Sequence, residues 1–352
     1  MRLAIDYWPG ATHEPGVGRY VREFTRALLR LEDAPTTTLL DWGPGKRLET
    51  AENAGSLPAR ARLVRRKLPR AWLERLAGLG LAPDRLAGGC DVLHASSIAL
   101  PRPARARSSL ALSSPPASPH ELEGRAAVIT FSEHARRELV EHFGVPRERV
   151  FVVPVGCGHF SADLAAQRAP AERSATLRVL ALGRIDRSRS PLELLAACER
   201  LAAAGQPLEL TFLGRVGDAY DELRARATRS PISSRVRFDS TPDDSKTRRA
   251  LAAHDVLAQL VTDDWTAVTP LEAAACGLAP VAARVPAYEE ALGGLAHWVE
   301  PSPEPAQLAD ALAAAFASHS DPAQVAARAA LASRFTWERN AALTLAALRS
   351  IL

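Results

Sequence analysis

The sequence predicts an α/β protein built from two doubly wound domains, each a parallel sheet covered by helices, that face each other across a cleft. Its length of 352 residues is enough for about two domains of ordinary size. Short apolar runs alternate with helical patterns in both halves, which is typical of strands joined by helical crossovers. A segment at 154–176, rich in Pro, Gly and small residues, interrupts this alternation and predicts the domain junction.

The first domain is predicted to begin with a strand at 3–7, a loop that contains glycines, and a helix over about 20–31. The clearest helix of this half is predicted over 133–143, because its apolar residues recur at helical spacing. The remaining strands of the first half are predicted at 38–41, 91–94, 109–113, 126–131 and 150–153.

The second half repeats the pattern, with a buried strand predicted at 177–182, a helix over 191–204 and a strand at 208–213. An amphipathic helix, capped by Thr336 or its neighbour, is expected to end the chain and to pack back on the first domain. The predicted boundaries are 1–165 and 166–336, with the last helix over 337–352. In doubly wound sheets a ligand is expected beyond the carboxyl ends of the strands.

Composition narrows the function classes. With 47% hydrophobic and 24% charged residues the chain is globular, and a net charge of +4 is too small to indicate nucleic-acid binding. The N-terminus lacks the apolar core of a signal peptide, and no window is long enough to span a membrane. The four cysteines show no zinc-binding spacing, so we expect a reducing, cytoplasmic compartment.

The segment 263–290 is the strongest functional signal. It places Asp264 in a loop and Glu272 in the first turn of a short helix, a plausible arrangement for gripping a sugar nucleotide. Thr269-Pro270-Leu271-Glu272 also reads as a capping box, in which Glu272 has a purely structural role. Ser190-Pro191-Leu192-Glu193 repeats that pattern before another helix, so at least one copy is expected to be only a cap.

A second signal is the basic loop after the strand at 177–182. Free amides at a helix N-terminus favour an anion, and Arg184 and Arg189 could add charge-assisted bonds to a diphosphate, with Gly183 allowing close approach. The alternative is a solvated basic loop. Nearer the N-terminus, Gly16 and Gly18 form a partial dinucleotide fingerprint, which could equally be a flexible turn.

The stretch 58–79 combines arginines with apolar residues and could lie on anionic lipid, or could be a solvated helix face. No Asp-x-Asp pair occurs in the chain, which argues against a metal-bridged sugar-nucleotide site.

Several segments together resemble the large family-4 group of retaining glycosyltransferases, which have the two-lobed GT-B fold. In the first half, the resemblance is carried by an N-terminal loop and helix, GVGRYVREFTRAL (16–28), and by a lobe-ending segment, ITFSEHARRELVEHFGVPRERVFVVPVG (129–156). In the second half, it is carried by the basic loop, ALGRIDRSRSPLELLAA (181–197), and by the sugar-nucleotide motif, TPLEAAACGLAPVAA (269–283). The tail RFTWER (334–339) also resembles the family.

The resemblance implies that Arg184 and Arg189 neutralise the donor diphosphate, that Glu272 holds the ribose hydroxyls, and that Asp264 lies near the donor sugar. Gly16, Gly18, Gly183, Val268 and Thr269 are expected to line the donor site. The usual Gly-Phe-Gly-Leu after the first acid is replaced by Trp265-Thr266-Ala267-Val268. The strand that ends in His-Asp in relatives here runs into Ser113-Ser114.

The expected function is transfer of a sugar from a nucleoside-diphosphate sugar to an acceptor hydroxyl with retention, in polysaccharide or glycan biosynthesis. The nucleotide sugar is a substrate, and no metal or cofactor is expected. The acceptor is expected to be a carbohydrate or a lipid-linked glycan, with peripheral contact at the inner membrane face through 58–79. A catalytically impaired GT-B protein that binds a sugar nucleotide or a partner is the alternative, and an epimerase or phosphorylase is a further one.

Overall fold

The computed structural model describes residues 1–13, 16–52, 55–66, 68–79, 81–96, 98, 100–160 and 175–352. The contacts within the chain divide it into two compact units. The N-terminal unit contains residues 1–156 together with 337–352, and the C-terminal unit contains residues 157–336. The boundary predicted between residues 165 and 166 lies outside the described residues.

The N-terminal unit contains a parallel sheet. Its strands are β1 (Arg2–Asp6), β2 (Thr36–Asp41), β3 (Ala61–Arg65), β4 (Val92–Ala95), β5 (Arg107–Ala111), β6 (Ala127–Thr130) and β7 (Val150–Val152). They lie in the order β3-β2-β1-β4-β5-β6-β7, and all neighbours run parallel. Its helices are α1 (Trp8–Thr12), α2 (Val17–Arg30), α3 (Arg70–Gly78), α4 (Pro83–Leu86) and α5 (Glu133–Glu141), joined by the final helix of the chain.

The C-terminal unit repeats this design. Its strands are β8 (Leu177–Leu182), β9 (Leu208–Leu213), β10 (Val236–Asp239), β11 (Val256–Gln259), β12 (Ala279–Ala283) and β13 (His297–Val299). They lie in the order β10-β9-β8-β11-β12-β13, so the strand order reverses between β8 and β11. Its helices are α6 (Pro191–Ala203), α7 (Tyr220–Thr228), α8 (Asp244–Ala253), α9 (Val268–Ala275), α10 (Pro286–Leu292), α11 (Pro305–Ser318) and α12 (Pro322–Ala332).

Alternating side chains of β8 explain why this sheet is covered on both faces. Leu177 and Val179 join one buried apolar cluster, whereas Leu180 and Leu182 join another. Because successive side chains of a strand point to opposite faces, an apolar run of this kind requires helices on both sides. The predicted fold class, two doubly wound parallel sheets, is therefore confirmed, and the strands predicted at 177–182 and 208–213 have the predicted bounds.

The final helix, α13 (Trp337–Ser350), contributes to the N-terminal unit. The indole of Trp337 lies 5.9 Å from the ring of Tyr20 on α2. The side-chain amide of Asn340 donates to the carbonyl oxygen of Pro154 at 2.9 Å. The end of the chain therefore packs on the unit in which the chain begins.

The basic stretch at 58–79 is not one amphipathic element, because it forms strand β3 followed by helix α3. Several of its arginines are used inside the fold. Arg65 pairs with the buried Asp41 at 2.8 Å, and Arg62 donates to the backbone carbonyl of Ala87 at 2.6 Å. Trp72 on α3 remains 55% exposed. Within the described ranges, none of the helices combines the length and apolarity needed to cross a bilayer.

Candidate functional site

The candidate site lies at the carboxyl ends of β8 and β11, where the strand order of the C-terminal sheet reverses. Two loops leave the sheet here: the arginine loop (183–190) follows β8 and leads into α6, and the acidic loop (260–267) follows β11 and leads into α9. A pocket at this edge is lined by residues that include Gly183, Arg184, Arg189, Pro191 and Gln259. Reversal points of this kind are the usual ligand crevices of doubly wound sheets.

Gly183 begins the arginine loop in a conformation that requires glycine. Its φ of +130° is rarely adopted by residues with a side chain. A Cβ at this position would lie 2.9 Å from Nη1 of Arg189. The carbonyl oxygen of Gly183 would in turn lie 1.6 Å from a Cβ at Gly214, so the arginine loop and the segment after β9 approach backbone to backbone. Gly183 therefore allows the Arg189 guanidinium to lie against the end of β8.

Two of the three arginines of this loop, Arg184 and Arg189, line the pocket and have different environments. Arg184 is 63% exposed, and its Nε lies 3.3 Å from Oδ1 of Asp186. Arg189 is partly buried, and its Nη1 lies 3.0 Å from the side-chain amide of Gln259 at the end of β11. Among the described residues, no carboxylate lies within ion-pair distance of Arg189. Its positive charge is therefore directed into the pocket without an acidic partner there.

Both predicted capping boxes are wrong. Ser190 is the N-cap of α6, but its φ is +46° and its side chain makes no capping bond. An N-cap serine normally has extended backbone, which aims its oxygen at the helix amides. The acidic loop ends in the same way, because Ala267 at φ +53° is the N-cap of α9. Ser190, Ala267 and Ser302 are the non-glycine residues with positive φ in the described part of the chain.

Glu272 is buried and belongs to the second turn of α9, not to its cap. Oε1 of Glu272 lies 3.1 Å from Nε2 of His159, and both side chains are almost fully buried. His159 comes from the segment that begins the C-terminal unit, and no sequence motif marks it as part of this site. Nearby, burial and then the Glu272 charge raise the pKa of Cys157 to about 12, which keeps that thiol protonated.

Asp264 turns its carboxylate into its own loop. Oδ1 accepts from the backbone N–H of Thr266 at 2.6 Å, from the Thr266 hydroxyl at 2.8 Å and from the backbone N–H of Ala267 at 3.3 Å. Oδ2 accepts from the hydroxyl of Tyr288 at 3.0 Å. An aspartate that bonds the amides two and three residues ahead fixes a turn. Asp264 therefore shapes the acidic loop, while Trp265 beside it is buried.

Val268 and Thr269 are the first two residues of α9, and both are partly buried. The backbone N–H of Val268 lies 3.4 Å from the Thr266 hydroxyl. Their predicted contact with a donor remains a prediction.

The predicted glycines of the N-terminal unit have separate structural reasons. Gly16 has φ +86° at the N-cap of α2, and no atom lies within 4 Å of a Cβ added there. A Cβ on Gly18 would lie 2.0 Å from the carbonyl oxygen of His13, so Gly18 allows α1 to pack closely on α2. The positive φ accounts for glycine at position 16, and the close packing of α1 on α2 accounts for glycine at position 18. A donor-binding role for both residues remains a prediction.

Gln259 and Tyr288 are further residues of the site that sequence reasoning missed. Gln259 is the polar last residue of an otherwise apolar strand, and that position at the ligand edge of the sheet was a usable signal. Tyr288 is fully buried on α10. Nothing local distinguishes it from a core tyrosine.

The similarity of the whole chain to solved structures identifies the fold as GT-B. Sucrose-phosphate synthase from Thermosynechococcus elongatus matches with a TM-score of 0.73 and 19% identity, covering 99% of this chain and 98% of that chain. Anabaena Alr3699/HepE in complex with UDP and glucose matches with a TM-score of 0.71 and 17% identity, covering 98% and 99%.

The sequence comparisons point to glycosyltransferases. Residues 165–331 match the family described as "Glycosyl transferases group 1". D-inositol 3-phosphate glycosyltransferase from Pseudarthrobacter chlorophenolicus is 29% identical over 64% of this chain, and the match spans 56% of that relative's length. The family match covers nearly all of the C-terminal unit, which contains both loops of the candidate site.

Proposed function

We propose that the chain is a glycosyltransferase that moves a sugar from a nucleoside-diphosphate sugar to an acceptor hydroxyl with retention at the anomeric carbon. The observation that carries this proposal is the placement of Arg184 and Arg189 around a pocket at the reversal point of the unit that matches the glycosyltransferase family. The 29% identity to a glycosyltransferase and the solved complex of Alr3699/HepE with UDP and glucose support it.

The arginines are proposed to act on the leaving group. The bond between the anomeric carbon and the diphosphate oxygen breaks, and a bond to the acceptor oxygen forms on the same face of the sugar. The acceptor proton passes to the departing phosphate, so no protein base is required. Negative charge grows on the diphosphate as its bond breaks, and fixed donors such as Arg189 stabilise that charge without reorganisation.

Glu272 is proposed to accept hydrogen bonds from the ribose hydroxyls of the donor. Its burial strengthens such bonds because the local dielectric is low. Nε2 of His159 lies 3.1 Å from this carboxylate, which is compatible with an ion pair when the imidazole is protonated. Gly183 is proposed to line the donor at the end of β8, and Val268 and Thr269 at the start of α9, where helix amides are oriented toward a bound anion.

A screen of nucleoside diphosphates and their sugars by thermal shift, followed by calorimetry, tests this proposal, since a ligand raises stability with the logarithm of its excess over Kd. At least one nucleoside diphosphate should bind, and Arg184→Ala and Glu272→Ala should weaken it. Arg187→Ala is the matched control, because Arg187 lies in the same loop but pairs with Glu222 at 2.7 Å. Equal affinity in all four proteins would contradict the assignment.

The environment of Asp264 favours a second candidate, a GT-B protein that binds a sugar nucleotide without transferring the sugar. Both carboxylate oxygens of Asp264 are bonded within the protein, and Trp265 fills the loop beside it. Nucleotide binding without turnover of any donor, in the presence of a broad acceptor panel, would establish this candidate. Release of a sugar–acceptor product would remove it.

The acceptor is proposed to be a carbohydrate or lipid-linked glycan of polysaccharide or glycan biosynthesis, reached at the cytoplasmic membrane face. The supporting observation is the exposure of two large apolar side chains, Trp72 on α3 and Leu79 directly after it, in a stretch of sequence rich in arginine. Sedimentation with vesicles containing about 30% anionic lipid should pellet the protein, because each basic residue near such a surface contributes about 1 kcal/mol. Equal pelleting by Trp72→Ala would exclude α3 as the contact.

A further inference from the structure

The hydroxyl of Tyr288 joins the two loops of the site. Tyr288 is fully buried, and its hydroxyl lies 3.0 Å from Oδ2 of Asp264 in the acidic loop. The same hydroxyl lies 3.1 Å from the side-chain amide of Gln259. Gln259 in turn contacts Arg189 of the arginine loop at 3.0 Å. Four side chains therefore form one connection, buried at Gln259 and Tyr288, from the arginine proposed to hold the diphosphate to the acid proposed to lie near the sugar.

The orientation of the Gln259 amide follows from its neighbours. With its oxygen facing Arg189, Oε1 accepts from Nη1 at 3.0 Å, and the amide nitrogen donates to the carbonyl oxygen of Leu182 at 3.2 Å. The opposite orientation would set donor against donor at Arg189 and acceptor against acceptor at Leu182. The hydrogen-bond network assigns the first orientation, as is usual for side-chain amides.

In this arrangement two acceptors compete for one proton. A tyrosine hydroxyl has a single hydrogen, and both Oε1 of Gln259 and Oδ2 of Asp264 lie within its reach. Burial first, and then the Asp264 charge, raise the pKa of Tyr288 well above its ordinary value, so the hydroxyl keeps that hydrogen. While Arg189 donates to Oε1 of Gln259, the Tyr288 hydroxyl donates its hydrogen to Oδ2 of Asp264.

We propose that Tyr288 is a positioning residue that couples the arginine loop to the acidic loop. An anion that draws Nη1 of Arg189 away from Gln259 leaves Oε1 without its donor, and the Tyr288 hydroxyl turns to fill that place. Oδ2 of Asp264 then loses its partner and becomes an acceptor for a donor-sugar hydroxyl. The inference rests on the proposed function for the identity of the anion and the sugar. It implies that binding of the diphosphate frees Asp264 in the acidic loop to accept from the donor sugar.

Trp265 supplies a reporter inside the acidic loop, because it adjoins Asp264 and is buried. Protein labelled with 5-fluorotryptophan gives one ¹⁹F signal for each tryptophan, and Trp265→Phe identifies the signal of interest. Inorganic pyrophosphate is the probe, since it offers the diphosphate charge without base, ribose or sugar. In the wild type, pyrophosphate should shift the Trp265 signal. In Tyr288→Phe it should not, although its Kd should change by less than roughly fivefold, the lower end of ordinary coupling between sites.

Tyr220→Phe is the matched control, because it removes a tyrosine hydroxyl from the same unit, on α7, where the ring meets Phe238 edge to face and lies near the Arg224 guanidinium. It should respond as the wild type does. Should Tyr288→Phe fail to fold, Gln259→Met breaks the connection one residue earlier and should abolish the Trp265 response in the same way.

A Trp265 shift that persists in both Tyr288→Phe and Gln259→Met would overturn the coupling. So would loss of pyrophosphate affinity in Tyr288→Phe, because the hydroxyl would then belong to the anion site itself. Binding of pyrophosphate to the wild type without any Trp265 response would also overturn the inference and leave the proposed function intact. If neither pyrophosphate nor any nucleoside diphosphate binds, both fail together.

Discussion

The arginine loop and the acidic loop share a position, a motif and a backbone geometry, but they differ in what they present. Each follows a buried strand at the reversal point, each leads into Ser/Thr-Pro-Leu-Glu, and each ends in a residue with positive φ, Ser190 or Ala267. The arginine loop lines the pocket with Arg184 and Arg189, whereas the acidic loop turns the Asp264 carboxylate into the loop itself. Two similar sequence patterns within one unit therefore present different groups to the site: basic side chains in one loop and a carboxylate bonded within the other.

A shift of two residues accounts for much of the difference. Pro191 is the first residue of α6, which leaves Glu193 in its first turn. The second helix begins at Val268, so that Pro270 is its third residue and Glu272 its fifth. Two residues rotate a side chain by about 200° around a helix. Glu272 is thereby moved from the capping edge to the buried face, where it meets His159.

The largest effect is expected from the arginine loop. Arg189→Ala should lower kcat/KM by roughly 10²–10³, the usual loss when one preorganised donor to developing charge is removed. Arg184→Ala should lower kcat/KM by only about tenfold, because the exposed charge of Arg184 is screened by water. Steady-state kinetics with the preferred donor measure both. If Arg187→Ala is as damaging as Arg189→Ala, the loop acts through its net charge and not through a positioned guanidinium.

The two glutamates provide the next comparison. Glu272→Gln should raise KM for the donor by roughly 10- to 100-fold, because a charged hydrogen bond to the ribose becomes a neutral one. Glu193→Gln occupies the same place in the other motif and should leave KM unchanged. Donor titrations of both variants measure the difference. If Glu272→Gln and Glu193→Gln have the same KM for the donor, the role of Glu272 is purely structural.

Among the described residues, a non-glycine residue with positive φ occurs in each of the two loops and at Ser302, outside them. Ala267→Gly and Ser302→Gly should each raise the free energy of unfolding by about 1 kcal/mol, because glycine adopts positive φ without a Cβ clash. Ser302 is exposed and lies outside both loops, so its variant should keep full activity. Ala267→Gly should lower kcat, since it loosens the turn that Asp264 fixes. Chemical denaturation and kinetics on the same samples check both expectations.

The smallest effect is expected from metal removal. The two arginines are proposed to neutralise the diphosphate, and no group of three or more His, Cys, Asp or Glu within the described ranges could hold a metal ion. Turnover should therefore be unchanged within about twofold after dialysis against EDTA, whereas a metal-bridged diphosphate would make it collapse. Restoration of lost activity by Mg²⁺ or Mn²⁺ would contradict the arginine assignment.

Sequence reasoning succeeded where structure is set by local pattern. Apolar runs such as 177–182 and 208–213 give strand bounds directly, because burial on both faces leaves little freedom in register. It failed where one residue decides the geometry. The positive φ of Ser190 and Ala267 is not visible in a serine or an alanine, so both helices were assigned caps that they lack.

The side chains that meet from distant parts of the chain were missed for a different reason. His159, Gln259 and Tyr288 reach the site from three elements, and no local spacing connects them. Asp264 was found by its motif, but the direction of its carboxylate depends on Tyr288 and could not be predicted. Motifs located the two loops, whereas the contacts between them required the structure.

The central claim is tested most directly by following one reaction with ¹H NMR. The wild-type protein is mixed with the nucleotide sugar selected by thermal shift and with its acceptor, and the anomeric proton of the product is observed from the first turnovers. The account predicts a sugar–acceptor product with the anomeric configuration of the donor, formed by Glu193→Gln at the wild-type rate and far more slowly by Arg189→Ala. An inverted product, or a product formed equally fast by Arg189→Ala, would contradict it.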